Sequence, residues 1–262
     1  APGTSAGPAE LYQKPCSAGS AASRAERVEP AQERSARKVV GAGRRDMRIL
    51  MIGPPGAGKG TQGALIAAHF DIPRVVVGDL LRDHVARRTD LGRAVDGHLG
   101  RGELVPDEII LCIVRQALNA ARAAGSGYVF DGLPRTMAQA RAAYKIATEL
   151  DMSANVAVHL RAEDKELTRR LLARAALEHR SDDTEQVIRH RLDLYQQVTQ
   201  PIIAWYAQRG ILVSVDAMRP VGEVGREILA ALELMRPPAG HIPAGVRRPV
   251  DLTGLGARCA QT

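Results

Sequence analysis

The chain has 262 residues, of which 36 are Lys or Arg and 29 are Asp or Glu, so its formal net charge is +7. This length suits one large domain or two small ones, and a hydrophobic content of 45% argues against a wholly disordered chain. No apolar run approaches the about 18 residues of a membrane helix, and the beginning of the chain has no apolar signal core. We therefore expect a cytoplasmic protein without a membrane partner.

The excess positive charge is concentrated towards the two ends. Residues 1–46 contain 8 basic and 5 acidic residues, and residues 237–262 contain 3 basic and 1 acidic residue. Residues 47–236 therefore contain 25 basic and 23 acidic residues. Both ends are rich in Ala, Gly and Pro and lack an apolar pattern, so we predict that they are disordered tails. The nearly balanced middle and an aromatic content of 3% argue against a nucleic-acid partner. The three cysteines lie far apart, which predicts thiols, and Cys112 falls in an apolar pattern typical of a buried one.

The middle of the chain alternates short apolar runs with helical patterns. Strands are predicted at residues 48–52, 75–77, 128–130, 156–160 and 211–215. Helices are predicted near residues 59–69, 79–88, 91–99, from 107, 136–150, 163–176, 183–208 with a bend at Pro201, and a last one that ends near 235. This alternation predicts an α/β fold of three layers, in which a five-stranded parallel sheet is flanked by helices on both faces.

A glycine-rich loop joins the first predicted strand to the first predicted helix. Residues 53–61 read GPPGAGKGT, and a strand, a Gly-rich loop, a Lys and a helix in this order are typical of a P-loop. Its main-chain amides and the helix N-terminus bind phosphates, while Lys59 reaches the outer ones. In the general pattern a hydroxyl residue follows the Lys directly, whereas here Gly60 intervenes before Thr61. The predicted contacts with the donor phosphates are Gly56, Ala57, Gly58, Lys59, Gly60 and Thr61.

Four further motifs follow in order along the chain. They are GDLLR at 78–82, GELVPDE at 102–108, DGLPRT at 131–136 with Gln139, and RSDD at 180–183 followed by Arg191. Together with GKGTQ at 58–62 they resemble the adenylate kinases, a family of nucleoside monophosphate kinases, over about residues 47–235.

The resemblance implies a phosphotransferase that moves a phosphoryl group reversibly from ATP to AMP and gives two ADP, with Mg²⁺ as cofactor. It also implies the division of the chain into a P-loop domain at 47–236, which contains a small insertion for the nucleoside monophosphate at about 76–107 and a short lid at about 175–182. We expect a monomer.

Arginines carry most of the site that the resemblance implies, because a planar guanidinium binds phosphate oxygens in pairs and stays charged. Arg82 and Arg135 would hold the acceptor phosphate. Arg174, Arg180 and Arg191 would close over the transferring phosphates. The implied catalytic residues are Lys59, Arg82, Asp131, Arg135, Arg180 and Arg191. The implied AMP contacts are Val77, Arg82, Leu104, Val105, Gly132, Arg135, Gln139, Arg180 and Arg191.

Some of these assignments have alternatives on the residues alone. Arg170, implied to lie against the donor adenine, and Arg174 could instead belong to a solvated helix face. Asp131 ends the third strand and by resemblance holds Mg²⁺ through water, in keeping with the waters that magnesium retains. We expect Asp79 to cap its helix, whereas the acidic pair at 182–183 either caps the following helix or positions the lid.

The sequence departs from the family pattern in two places. By resemblance, Gln139 reads the adenine edge, but Val76 and Val77 stand where the family has Ser and Thr, so one hydroxyl contact with the base is lost. Residues 175–179 contain no cysteine, which excludes a zinc-bearing lid, and no glycine, so they could extend the preceding helix. These departures leave two alternatives open: a pyrimidine nucleoside monophosphate kinase, and a regulatory protein that binds nucleotide without transferring phosphate.

Overall fold

A computed structural model describes residues 45–178 and 184–236, together with residues 255, 256 and 259. Its strands are β1 (Arg48–Ile52), β2 (Arg74–Val76), β3 (Tyr128–Asp131), β4 (Val156–Arg161) and β5 (Leu212–Asp216). They form one sheet in the order β2-β3-β1-β4-β5, and every pair in it is parallel. This confirms the predicted five-stranded parallel sheet.

Helices cover both faces of the sheet. In chain order they are α1 (Lys59–Phe70), α2 (Val77–Ala86), α3 (Asp90–Arg101), α4 (Asp107–Ala123), α5 (Met137–Glu149), α6 (Asp164–Glu178), α7 (Glu185–Leu194), a π-helical turn (Tyr195–Thr199), α8 (Pro201–Ala207) and α9 (Val221–Leu234). No helix in the described part of the chain is long and apolar enough to cross a membrane.

The alternation of side chains along β1 explains why both faces are covered. Ile49 and Met51 lie in a core shared with α1, α6, α7 and α9. Leu50 and Ile52 point to the opposite face and pack with the helices α4, α5 and α8. Ile49 is fully buried, and burial of a side chain of this size stabilises a fold by about 1.5–3 kcal/mol.

The strand order sets the position of a cleft. After β1 the chain moves to one side of the sheet and returns through β3, and it then continues on the other side with β4. In open parallel sheets, ligands bind outside the carboxyl ends of the strands at such a switch point. The glycine-rich loop follows β1 and lies at this point.

Two predicted helices have different bounds in the structure. The second begins at Val77 with Val76 as its N-cap, so Asp79 lies within its first turn and forms an ion pair with Arg82 instead of capping the helix. The long helix predicted at 183–208 with a bend at Pro201 is divided by the π-helical turn just before that residue, because proline has no N–H to donate to the preceding turn. The interruption falls where the bend was predicted.

Parts of both predicted tails contact the domain. Arg45 pairs with Asp71, and Asp46 is buried. At the other end Leu255 and Cys259 are only 5% and 3% exposed. The remaining residues of the two tails, at 1–44 and in most of 237–262, lie outside the described residues.

The expectation that the cysteines are thiols was wrong for two of them. Cys112 on α4 is bonded to Cys259, with 5.7 Å between the two Cα atoms and 147 residues between them in sequence. Residues 255 and 256, just before Cys259, are held by two hydrogen bonds. His84 Nε2 donates to the Leu255 carbonyl, and the Gly256 N–H donates to the side chain of Gln116, both at 2.9 Å. Such a pairing depends on the tertiary fold and cannot be read from sequence spacing.

Candidate active site

The main cleft of the molecule lies at the carboxyl ends of the strands and has a volume of about 1010 Å³. Its walls are the glycine-rich loop and the start of α1, the ends of β2 and β3, the connection from α3 to α4, and parts of α2, α6 and α7. Most of the predicted site residues line it: Gly56, Gly58, Lys59, Gly60, Thr61, Val77, Arg82, Leu104, Val105, Asp131, Gly132, Arg135, Gln139, Arg170, Arg174 and Arg191.

Several glycines of the glycine-rich loop have a positive φ, and some of them also pass close to other backbone. Gly56 has a φ of 82°, and a Cβ there would lie 3.0 Å from the Leu167 carbonyl oxygen. Gly58 caps α1 with a φ of 88°. Ala57 differs from the prediction: it is buried below the cleft surface, and its N–H donates to the Pro54 carbonyl at 3.2 Å. The helix N-terminus that follows supplies the positive potential expected of a phosphate site.

Lys59 lies at the base of this loop. Its Nζ donates to the carbonyl oxygens of Gly53 and Pro54, both at 2.8 Å. Burial lowers the pKa of Lys59 to about 8, and the positive charges of Arg135 and Arg174 act in the same direction, whereas Asp131 opposes them. The ammonium is thus held where an anion would relieve both its burial and the repulsion of its neighbours.

Asp131 is an acidic residue of the cleft wall whose charge acts on Lys59. It is 6% exposed and ends β3 between Met51 on β1 and Val76 on β2. Its Oδ2 lies 3.7 Å from the position that a Cβ on Gly60 would take, so the carboxylate faces the first turn of α1.

This arrangement fits a magnesium ion, which is commonly held by one or two carboxylates together with substrate phosphates and water. Within residues 45–178 and 184–236 and the three described residues near the C-terminus, no group of three or more His, Cys, Asp and Glu side chains comes together as a metal site.

Three arginines from different elements converge on the side of the cleft where the acceptor is predicted to bind. Arg135 follows β3, Arg82 lies on α2 and Arg191 on α7. The pKa of Arg135 is lowered first by burial and then by the charges of Arg191 and Arg82, with Asp131 acting against them. Like charges that lie close enough to lower one another's pKa repel, and an anion between them would relieve this repulsion. The cluster is therefore suited to a phosphate group.

Two further arginines reach the cleft from α6. Arg170 donates from Nε to Glu166 Oε1 at 2.8 Å and from Nη1 to the Ala217 carbonyl at 3.0 Å, so its guanidinium is fixed by protein partners. Hydrogen bonds from Arg169 and Arg170 lower the pKa of Glu166 to about 2. Arg174 also lines the cleft. Both predicted residues thus face the site and not a purely solvated surface.

The wall around a prospective acceptor base is mostly apolar. Val77 is 3% exposed and Val105 is 8% exposed, and Leu104 lies beside them in the cleft. Gln139, the residue expected to read the base, is 2% exposed. Its side chain accepts a hydrogen bond from the Arg135 N–H at 2.9 Å and donates one to Asp107 at 2.8 Å.

The predicted lid is only partly described. Helix α6 continues to Glu178, so residues 175–178 extend the helix, as their composition allowed. Leu177 in this extension is 81% exposed. Arg180 and the acidic pair at 182–183 lie outside the described residues.

Several residues that line the cleft were missed in the sequence. Tyr195 and Thr199 come from the π-helical turn, and residues 218–221 come from the loop after β5. Residues 218–221 could have been predicted, because loops at the carboxyl ends of parallel strands build such sites. Tyr195 and Thr199 could not have been predicted, since the π-helical turn is visible only in the structure.

Known proteins resemble this chain over the same region. A sequence profile described as "Adenylate kinase" matches residues 51–211. The chain is 41% identical to "Adenylate kinase" of Thermobifida fusca over 187 residues, which cover 71% of this chain and 98% of that relative. It is 44% identical over 184 residues to a protein of the same description from Thermus thermophilus, covering 70% and 96%. For the one from Kocuria rhizophila the identity is 42% over 186 residues, covering 71% and 98%.

Proposed function

The chain belongs to the adenylate kinase family, and we propose that it transfers the terminal phosphoryl group of ATP to AMP, reversibly, to give two ADP. The observation that carries this proposal is the convergence of cationic groups from four elements on one cleft. Lys59 follows the P-loop, and Arg82, Arg135 and Arg191 come from the opposite side. This arrangement matches two phosphate chains that meet end to end.

Phosphoryl transfer needs alignment and charge neutralisation more than covalent chemistry from the protein. The P-loop amides and Lys59 bind the donor phosphates, and Lys59 neutralises charge on the group in transfer. Arg82 and Arg135 hold the acceptor phosphate, while Arg174 and Arg191, with Arg180 from the lid, neutralise the transferring group.

Mg²⁺ is proposed as the cofactor, and the fit of Asp131 to such an ion supports it. When bound, the ion would neutralise negative charge on the donor phosphates. The carboxylate of Asp131 would hold it through water, while Thr61 lies in the same part of the cleft wall.

The two alternatives are not favoured. A pyrimidine specificity has no support from Gln139, whose amide suits an adenine edge, and the relatives at 41–44% identity are described as adenylate kinases. A regulatory protein without turnover would have no need for the cationic cluster on the acceptor side.

The finer features of the proposal concern organisation and location. We propose an acceptor-binding segment at about 76–107 and a short lid at about 175–182 within a domain at 47–236. We further propose that the enzyme acts as a cytoplasmic monomer. Closure of the segment and the lid over the substrates would exclude water, so that ATP is not hydrolysed.

The proposal is tested by product stoichiometry. The purified chain is incubated with MgATP and AMP, and the nucleotides are followed by phosphorus NMR. We expect two ADP for each AMP consumed and no inorganic phosphate. Release of phosphate from ATP, or binding of both nucleotides without turnover, would refute the assignment.

A further inference from the structure

The side-chain amide of Gln139 is engaged by protein at both of its ends. Its Oε1 accepts from the main-chain N–H of Arg135 at 2.9 Å, and its Nε2 donates to Asp107 Oδ1 at 2.8 Å. The residue is 2% exposed, yet it lines the cleft on the acceptor side. The two hydrogen bonds therefore determine the orientation in which this amide faces a bound base.

The two partners have fixed and opposite polarity. A main-chain N–H can only donate, and a carboxylate oxygen can only accept. The oxygen and nitrogen ends of an amide have nearly the same shape, so its orientation is ordinarily decided by its hydrogen-bond partners. Here the oxygen must face Arg135 and the nitrogen must face Asp107. Turning the amide over would place two donors together at one end and two acceptors together at the other.

The main chain around Arg135 and Gln139 is itself held in place, and Asp107 begins a helix. The Thr199 hydroxyl donates to the carbonyl oxygen of Arg135 at 2.8 Å, which restrains the main chain that carries the donating N–H. Thr136 caps α5 and accepts from the Gln139 N–H at 3.0 Å. Asp107 lies in the first turn of α4, where the helix dipole stabilises a negative charge. The amide is thus set in a rigid frame.

A fixed amide can serve only one of two purine edges. After the two bonds, Nε2 retains one hydrogen and Oε1 retains one lone pair. Adenine offers an acceptor at N1 and a donor at N6, whereas a 6-oxopurine such as hypoxanthine offers a donor at N1 and an acceptor at O6. An amide that pairs with the first edge must turn over to pair with the second.

We propose that Asp107 is a specificity-determining residue that acts through Gln139. Its carboxylate holds the amide in the orientation that suits adenine and, together with the Arg135 N–H, opposes the reversal that a 6-oxopurine needs. This inference rests on the proposed function, since it requires AMP to be the acceptor. Asp107 is a positioning residue and does not itself touch the base.

The test compares Asp107→Asn with Glu108→Gln. Asparagine has the shape of aspartate but can either accept or donate, so one of the two constraints on the Gln139 amide is removed and only the Arg135 N–H still opposes its reversal. Glu108 is the exposed neighbour in the same helical turn, and its variant removes the same charge from the same helix dipole. For each protein, kcat/KM is measured with AMP and with inosine monophosphate at saturating MgATP. KM for ATP is measured separately.

We expect Asp107→Asn to lower the ratio of kcat/KM for AMP over that for inosine monophosphate by about tenfold, the size of one misplaced buried hydrogen bond. KM for ATP should not change, and Glu108→Gln should retain the ratio of the unaltered protein. An unchanged ratio in Asp107→Asn, or an equal fall in Glu108→Gln, would overturn the inference.

Two further variants separate specificity from folding. In a Gln139→Leu background, Asp107→Asn should have no effect on the ratio, because the amide through which it acts is gone. Asp107→Ser, which keeps a residue suited to a helix start, should reproduce the fall if Asp107→Asn is poorly folded. Absence of turnover with AMP in the unaltered protein would refute the proposed function itself, whereas turnover with an unchanged ratio refutes only the role of Asp107.

Discussion

At the scale of single residues, Lys59 links the fold to the chemistry. The strand β1 and the loop after it place its ammonium on the carbonyls of Gly53 and Pro54, among the charges of Asp131, Arg135 and Arg174. The first part of this arrangement could be predicted, because the spacing of glycines and lysine is a local pattern. The lowered pKa could not, since it depends on residues that are distant in sequence.

Removal of this ammonium should abolish most of the activity. We expect Lys59→Met to lower kcat by about a thousandfold or more, because a charge on the transferring phosphates would no longer be neutralised. Steady-state kinetics measure the loss, and a thermal unfolding midpoint close to that of the unaltered protein shows that the fold is retained. Near-normal turnover in a folded variant would refute the role of Lys59.

The lowered pKa of Lys59 predicts a pH dependence with a definite sign. Lysine is charged below its pKa, which is about 8 here, so the form that binds phosphate is lost as the pH rises through 8. We expect kcat/KM for MgATP to fall above about pH 8, towards tenfold per pH unit. Lys59→Arg is the control, because guanidinium does not titrate in this range. Its lower kcat/KM should stay level between about pH 7 and 10; a level profile in the unaltered protein would contradict this role of the lysine.

The residue scale also shows what a single sequence conceals. The motif that contains Gln139 sufficed to predict that this residue reads the base. Its bond with Asp107 could not, because the two residues lie on different helices and 32 positions apart. Tyr195 and Thr199 carried no signal for the same reason. Motifs predict residue types near a site, whereas the partners that orient them come from tertiary packing.

At the scale of elements, the end of α3 and the helix α7 meet at Gly102. This glycine caps α3 with a φ of 71°. A Cβ there would lie 2.8 Å from Val187 and 3.0 Å from two atoms of Arg191. The close approach places Arg191 against the acceptor side, and only glycine permits it.

Substitution of Gly102 should therefore impair binding of AMP. We expect Gly102→Ala to lower the free energy of unfolding by about 1–2 kcal/mol, from the left-handed conformation, and to raise KM for AMP several-fold, from the displaced Arg191. Gly210→Ala is a matched control, because Gly210 has a φ of 68° and a Cβ added there would meet no atom within 4 Å. It should lose stability without a change in KM. Equal KM values in the two variants would show that the contact with α7 is unimportant.

The disulfide between Cys112 on α4 and Cys259 is the second feature at this scale. A disulfide that closes a long loop typically contributes about 2–5 kcal/mol. We expect a reductant to lower the unfolding temperature of the oxidised protein by several degrees. Cys259→Ser should unfold at this lower temperature whether or not the reductant is present. Cys16→Ser should remain sensitive to the reductant. A count of three free thiols in the protein before reduction would contradict the disulfide.

At the scale of the whole molecule, the positions of the charges matter more than their sum. The net charge of +7 comes mostly from the two ends of the chain, and residues 47–236 are nearly balanced. Lys59, Arg82, Arg135 and Arg191 are nevertheless brought to a single cleft because the strand order opens one switch point. A field of this kind attracts small polyanions to the cleft, while the other charges of residues 47–236 nearly balance.

The architecture at this scale was largely predictable. Alternating apolar runs and helical patterns sufficed to predict a five-stranded parallel sheet with helices on both faces. Parallel strands that are buried on both faces are recognisable in a sequence because they are almost continuously apolar. The order of the strands was not predictable, since local patterns do not determine which strands become neighbours. The bend of the long helix at Pro201 was predicted, but the π-helical form of the turn before it was not. The contacts of Arg45, Asp46, Leu255 and Cys259 with the domain were missed because their segments have the composition of disordered chain.

The most direct test of the central claim is a comparison of acceptors. Initial rates are measured with the full chain, saturating MgATP and varied AMP, CMP, UMP or GMP. We predict that kcat/KM for AMP exceeds each of the others by at least about a hundredfold, because the wrong bases leave the remaining hydrogen and lone pair of the buried Gln139 amide without partners. Equal or greater kcat/KM with CMP or UMP, or no transfer to any of the four, would contradict the claim.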